Sequence, residues 1–185
     1  MDTSTWVVIG IVVAVGLWLM MTYNRLVAGR NQAKNAWSQI DVQLKRRHDL
    51  IPNLVEVVKD AMGYEQETLK LVVEARNAAV KATGPAEIGR AEAALTAATT
   101  QLFALMENYP QLKANDNVMQ LQEELTATEN KISFSRQFYN DSIMGLNNMV
   151  QSFPANLIAG MFGFTEMPHL DIPESERAVP KVNLR

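Results

Sequence analysis

Charge is absent from 22 consecutive residues between Asp2 and Arg25, and 16 of these, Trp6 to Met21, are almost wholly apolar. A helix rises about 1.5 Å per residue, so 22 residues reach about 33 Å, enough for a hydrocarbon core of about 30 Å. A water-soluble helix of that length would show a polar face; here only Gly10 and Gly16 interrupt the run. The pattern predicts a transmembrane anchor over residues 1–24, with Trp6, Val7, Val8, Ile9, Ile11, Leu17, Trp18, Leu19 and Met20 in the span. A cleaved secretory signal is the competing expectation. It needs a basic start and a small-x-small cleavage site, whereas the start holds Asp2, Met20-Met21-Thr22-Tyr23-Asn24 offers no such site and Val27-Ala28-Gly29 only a weak one.

From Leu26 onward the apolar positions Leu26, Ala33, Trp37, Ile40, Leu44, Ile51, Leu54, Val58 and Met62 fall three, four or seven apart, one stripe of a helix. Pro52 lies inside it, and an interior proline removes a donor and crowds the preceding turn. The phase nevertheless survives, since Leu44 to Ile51 is one heptad. The expectation is a kinked but continuing helix that runs directly out of the anchor and breaks at Gly63. Leu69, Val72, Val73, Arg76 and Val80 mark a second helix, stopped by Thr83-Gly84-Pro85. Ile88, Ala91, Leu95, Ala98, Leu102, Leu105 and Tyr109 mark a third, ending at Asn108-Tyr109-Pro110.

Asn115 or Asp116 can cap the fourth helix. Its stripe reads Val118, Leu121, Leu125, Thr128, Ile132, Ser135, Tyr139, Ser142, Leu146, Met149 and Phe153, a bundle helix about 54 Å long. Thr128, Ser135 and Ser142 could line a channel, but small hydroxyls on a seam more often bond to their own turn. No strand-like alternation of any length is present. The predicted fold is all-α: a transmembrane helix continuing into an antiparallel four-helix bundle over residues 25–153.

Beyond Phe153-Pro154, residues 154–164 form a second apolar patch, too short to span a bilayer. Leu157, Ile158, Met161, Phe162 and Phe164 are its candidate interaction residues, with three covers available: the bundle end, the lipid interface or a second copy. Residues 165–185, with Pro168, Pro173 and Pro180, read as an extended tail holding at most a short helix at 174–178.

Charge then adds orientation. The net charge of −3 hides +5 over residues 25–47 and −6 over residues 55–129. Arg25, Arg30 and Lys34 just after the span, with no Lys or Arg before it, place the N-terminus outside and the bundle in the cytoplasm by the positive-inside rule. Arg25, Arg30 and Lys34 read as a solvated helix face that satisfies the positive-inside rule, while Lys45 to Arg47 lie about 30 Å beyond the membrane on a straight helix, too far for surface attraction across a screening length of about 8 Å.

Candidate chemistry is sparse. The chain has no cysteine, which excludes disulfides, thiol catalysis and Cys-based metal sites. Its two histidines, His48 and His169, sit far apart; His48 follows no glutamate at the offset a di-iron bundle needs, and Glu166-Met167-Pro168-His169 has that spacing but falls in the Pro-containing tail rather than on a bundle helix. There is no Gly-rich phosphate loop, no His-Glu-x-x-His and no nucleophile elbow. The pairs Glu123-Glu124 and Glu65/Glu67 read as solvated surface. No catalytic, cofactor-binding or metal-binding residue is therefore assigned, and the acidic balance with a membrane-proximal basic stretch argues against nucleic acid.

The run from Ala36 to Val55, AWSQIDVQLKRRHDLIPNLV, resembles the LemA family of bacterial membrane-anchored helical proteins. Similar stretches are Tyr23-Asn24-Arg25-Leu26-Val27, Glu107 to Ala114 (ENYPQLKA), Leu121-Gln122-Glu123-Glu124-Leu125 with Thr128-Glu129-Asn130, then Arg136, Tyr139-Asn140, Phe153-Pro154-Ala155-Asn156 and Gly163-Phe164. The likeness covers about residues 6–165; residues 61–63 and the tail after Phe164 depart from the family pattern. The resemblance implies one N-terminal anchor in the cytoplasmic membrane, an outside N-terminus and a cytoplasmic helical bundle. It brings no established activity and no catalytic residues. Relatives of this kind resemble envelope proteins linked to membrane organelles and often encoded near membrane proteases.

The expected function is a non-enzymatic scaffold that self-associates and organises or remodels the cell membrane, with the lipid bilayer and copies of itself as partners. The alternative is a membrane-tethered adaptor for an envelope protease or signalling protein. An oligomer in detergent favours the first, a monomer the second.

Overall fold

The computed structural model describes residues 2–59, 61–62 and 66–170. Among these residues the chain is all-α, with six helices: α1 (Thr3–Lys59), α2 (Gln66–Lys81), α3 (Pro85–Met106), α4 (Pro110–Lys113), α5 (Asp116–Gln151) and α6 (Ala155–Met161). The break expected at Gly63, the helix at 174–178 and the tail beyond Leu170 lie outside the described residues. Contacts divide the chain into two compact units. One comprises residues 2–38 and 137–169, the other the described residues of 39–136 together with Leu170, so α1 and α5 contribute to both.

In the second unit the core joins Ile51, Leu54, Val58 and Met62 to Val72, Leu95, Leu102, Leu112, Val118 and Leu125. These are the stripes expected for four helices, with two shifts. On α2 the buried positions are Leu69, Val72 and Ala79, while Val73 and Val80 are exposed. Leu69, Val72, Arg76 and Ala79 keep one seam at three- and four-residue steps, and Val73 and Val80 each fall one residue, about 100°, to its side. The second shift is α4. The third helix ends at Met106, and Pro110 then opens a separate single turn, because proline is well placed at the first helical position, where its missing N–H costs nothing. That turn buries Leu112.

Helix ends follow local chemistry. Gly84, between α2 and α3, has φ +75° and ψ 157°, a conformation open in practice to glycine alone. Asn115 Oδ1 accepts from the backbone N–H groups of Asn117 at 3.0 Å and Val118 at 3.3 Å, so Asn115 rather than Asp116 caps α5. Thr128 and Ser142 donate to the carbonyls of Glu124 and Phe138, four residues back, at 2.7 Å each; these seam hydroxyls serve their own helix.

In the first unit Leu26, Leu146, Ile158, Ala159 and Phe164 form the core. Trp37 packs on Tyr139 with ring centroids 5.1 Å apart. Burial raises the Tyr139 pKa above its ordinary value, and its hydroxyl donates to the Pro168 carbonyl at 3.3 Å. Asn147 is bidentate to the Met167 backbone, at 2.9 Å for each bond, and so fixes the segment after α6. Phe153, expected to end the α5 seam, is instead 80% exposed, because α5 stops at Gln151 and the chain turns before reaching it.

Pro52 lies inside α1, as the unbroken heptad phase predicts. Its missing N–H is the one that would have bonded to the carbonyl of His48, four residues back. That carbonyl instead accepts from Arg76 Nε on α2 at 3.1 Å. Arg76, expected merely to mark the α2 stripe, thus replaces the lost backbone donor. Arg76→Met should destabilise the bundle by about 1–3 kcal/mol, the cost of a stranded polar group. In a Pro52→Ala background, where residue 52 regains its donor, the same change should cost much less. Denaturant unfolding of the four proteins of this cycle, followed by circular dichroism, tests it; equal losses in both backgrounds would show that Arg76 does not substitute for the missing bond.

The α2–α3 turn supplies a pH signature. Glu87 Oε2 accepts from the Thr83 backbone N–H at 2.9 Å and from the Thr83 hydroxyl at 3.1 Å, and these bonds hold its pKa below the ordinary 4.5. A depressed folded-state pKa gives stability that is complete above the unfolded value and lost as pH falls through the folded value. A carboxyl titration by NMR should place Glu87 below the exposed glutamates, and Glu87→Gln should flatten stability against pH in that acid window.

Candidate functional site

The buried stripe of α1 steps from Leu44 to Ile51, and the positions between them that face the same way are Arg47 and His48. Both are buried, as is Glu92 on α3, one turn before Leu95. Arg47 Nη1 donates to Glu92 Oε2 at 3.0 Å, and Nη2 lies 2.7 Å from Glu129 Oε2 on α5. Nη2 also donates to Thr96 Oγ1 at 2.9 Å, and that hydroxyl donates onward to Glu129 Oε1 at 3.0 Å. The second oxygen of Glu92 is held by His48 Nε2 at 2.6 Å. An ionised carboxylate only accepts, so Nε2 carries the proton in this pair. The Arg47 and Glu92 side chains are only 3% and 6% exposed, while Glu129, 35% exposed, carries the network toward the surface.

Composition gives Arg47 no partner and expects a lone histidine to be structural or solvated; the structure buries both, and His48 takes the structural part. Of Lys45 to Arg47, Lys45 and Arg46 stay exposed, and Arg46 pairs with Glu124 at 3.4 Å. The available signal was the heptad itself: bases fill the apolar slot of α1, and an acid fills the matching slot of α3 between Ile88 and Leu95.

Beside the cluster lies a groove of about 550 Å³. Its walls are mostly apolar, including Ile40, Leu44, Ala93, Ala97 and Ile132, with Arg47, Glu92 and Arg136 supplying the polar part and Leu170 at its edge. In the groove Glu92 is committed to Arg47 and His48, and Thr96 to Arg47 and Glu129. Among the described residues no group of three or more His, Cys, Asp or Glu side chains is placed to hold a metal. The network joins α1, α3 and α5.

The other candidate residues divide sharply. All nine span residues from Trp6 to Met20 are exposed, and the apolar window of α1 has none of its residues buried within the protein. In the C-terminal patch Ile158 and Phe164 belong to the core of the first unit and are unavailable to a partner. Leu157, Met161 and Phe162 are exposed by 59%, 79% and 58%. Tyr23, just past the apolar run, meets Phe162 at 4.8 Å and Phe164 at 5.9 Å between ring centroids, and the Arg30 guanidinium lies 4.8 Å over the Phe164 ring.

Breaking one side of the buried network should be costly. Arg47→Met, which leaves Glu92 facing only His48, should destabilise the bundle by about 3–5 kcal/mol. Adding Glu92→Leu should recover a large part of that loss, because the deeply buried carboxylate is then gone and Glu129, 35% exposed, keeps its bond from Thr96. Denaturant unfolding of the full chain in detergent checks this; strictly additive losses would mean that the two side chains are not coupled.

Comparison with known proteins agrees with this architecture. The chain is 26% identical over 165 residues to Protein LemA of Metamycoplasma hominis, an alignment covering 83% of this chain and 74% of the relative. It is 26% identical over 179 residues to magnetosome protein MamQ 2 of Paramagnetospirillum magneticum, covering 83% and 66%, and 24% identical over 177 residues to magnetosome protein MamQ of Magnetospirillum gryphiswaldense, covering 82% and 65%. It therefore spans about two thirds of the length of these magnetosome relatives. The model described as the LemA family matches residues 36–184, and the chain belongs to that family.

Proposed function

We propose that this protein is a membrane-anchored, non-enzymatic scaffold that self-associates and shapes or organises the bilayer it sits in. The observation that carries this is the apolar stretch of α1, long enough to cross a bilayer and covered by nothing in the protein. Exposed hydrocarbon of that extent is incompatible with water and fits lipid. The N-terminus lies outside and the bundle in the cytoplasm, because Arg25, Arg30 and Lys34 follow the span. The described residues outside the span add packing and a structural ionic network. Relatives named as magnetosome proteins, proteins of a membrane-bounded organelle, support a role in membrane organisation. Confinement to one plane raises the effective concentration of copies without any new contact, and the exposed apolar side chains supply surface for association.

Two measurements test this. The full chain extracted in mild detergent should have a mass of several copies; a stable monomer would favour the adaptor for an envelope protease or signalling protein instead. In membrane vesicles of known sidedness, protease should cut the bundle only from the cytoplasmic face. Cleavage from the outer face would overturn the orientation.

A further inference from the structure

The short helix α6 has two apolar faces, and its own bundle covers only one. Ile158 and Ala159, with Phe164 just beyond, pack on Leu26 and Leu146, so α6 is docked. Phe153, Leu157 and Met161, spaced four apart, point the other way together with Phe162, and all four are exposed. These residues lie in a stretch of 24 without a single charge, between Asp141 and Glu166. That is as long a charge-free run as the one that forms the anchor.

The depth of this surface is set by Tyr23. The apolar run ends at Met21 and the first positive charge is Arg25, so Tyr23 stands where the hydrocarbon core gives way to head groups, the level that tyrosine and tryptophan favour. Phe162 packs directly on Tyr23, with ring centroids 4.8 Å apart. That contact sets Phe162, at the C-terminal end of α6, at the level of Tyr23. Arg25 is exposed beside it, placed to meet lipid phosphate.

From this geometry we infer that α6 and the turn before it are a second, interfacial contact with the same membrane. Phe153, Leu157, Met161 and Phe162 enter the boundary between acyl chains and head groups on the side of the bundle. The occupant of the uncovered face is lipid rather than another protein because the face continues the surface of the span at the level where that span leaves the bilayer. Side chains inserted at this depth add area to one leaflet only, which is how an interfacial helix bends a membrane. The inference rests on α1 being the transmembrane anchor.

The absence of native cysteine makes the test direct. Single variants Leu157→Cys, Met161→Cys, Val12→Cys and Val42→Cys carry a nitroxide in the full chain, one copy per nanodisc of phosphatidylethanolamine and phosphatidylglycerol. All four native side chains are exposed, so the replacements spare the core, and helicity by circular dichroism verifies this. Labels at 157 and 161 should be shielded from a water-soluble nickel chelate, and open to oxygen, several-fold more than the label at 42. If 157 and 161 are as open to nickel as 42 while 12 is shielded, the anchor stands and the α6 contact is refuted. If 12 is itself open, the anchor fails and the inference fails with it. Shielding that appears only with two copies per disc would assign the face to a second copy and overturn lipid as its occupant.

Discussion

Taking a carboxylate out of water costs several kcal/mol unless its oxygens are met by donors in good geometry, and Glu92 is buried in the middle of α3. Both of its oxygens are engaged by neighbouring residues of α1, Arg47 at 3.0 Å and His48 at 2.6 Å. Arg47 is engaged in turn by Glu129 on α5 at 2.7 Å. One guanidinium therefore ties three helices together. Apolar stripes that repeat every seven residues tolerate a slip of one heptad, because leucine then meets leucine. A slip here would strand two opposite charges in an apolar seam, so the network fixes the register on which the second unit depends.

The same network shows what patterning conveys and what it conceals. The seams of α1, α3 and α5, the stop at Thr83-Gly84-Pro85 and the cap at Asn115 are local facts of periodicity and turn chemistry, and they are legible in the sequence. A charge in a heptad slot is not, because Arg47 next to Lys45 and Arg46 has the same composition whether it faces water or Glu92. Its partner is 45 residues away, and pairing at that distance is decided by helix packing. Val73 and Val80 mislead for the opposite reason: valine on the outer side of α2 is as apolar as valine on the seam.

Pro52 belongs to a third kind of feature, legible in its location but not in its compensation. The persistence of the stripe through Ile51 and Leu54 shows that the helix continues, and α1 runs through Pro52 to Lys59. How a helix tolerates an interior proline that costs about 3 kcal/mol depends on a donor from elsewhere. The Arg76 contact with the His48 carbonyl supplies it, one residue from Arg47 in the buried network. Two demands of α1, a carbonyl without its N–H and a guanidinium out of water, are thus met on successive residues by side chains of other helices.

The two faces of α6 finally separate two solvents. A helix shaped by water alone shows hydrocarbon on its core side and polar groups outside. Among the residues of α6 only Asn156 is polar, and hydrocarbon of the same kind lies on its buried and its exposed sides. Helix propensity does not explain that composition: seven residues including Gly160 are too few to hold a helix by themselves, so the segment takes its shape from what it touches. On one side it touches Leu26, Leu146 and Phe164. On the other the same rule that moves the apolar part of α1 out of water applies to Leu157, Met161 and Phe162, and Tyr23 sets both surfaces at one depth. The inferred lipid contact would give the uncovered face of α6 what the bundle core gives the covered one.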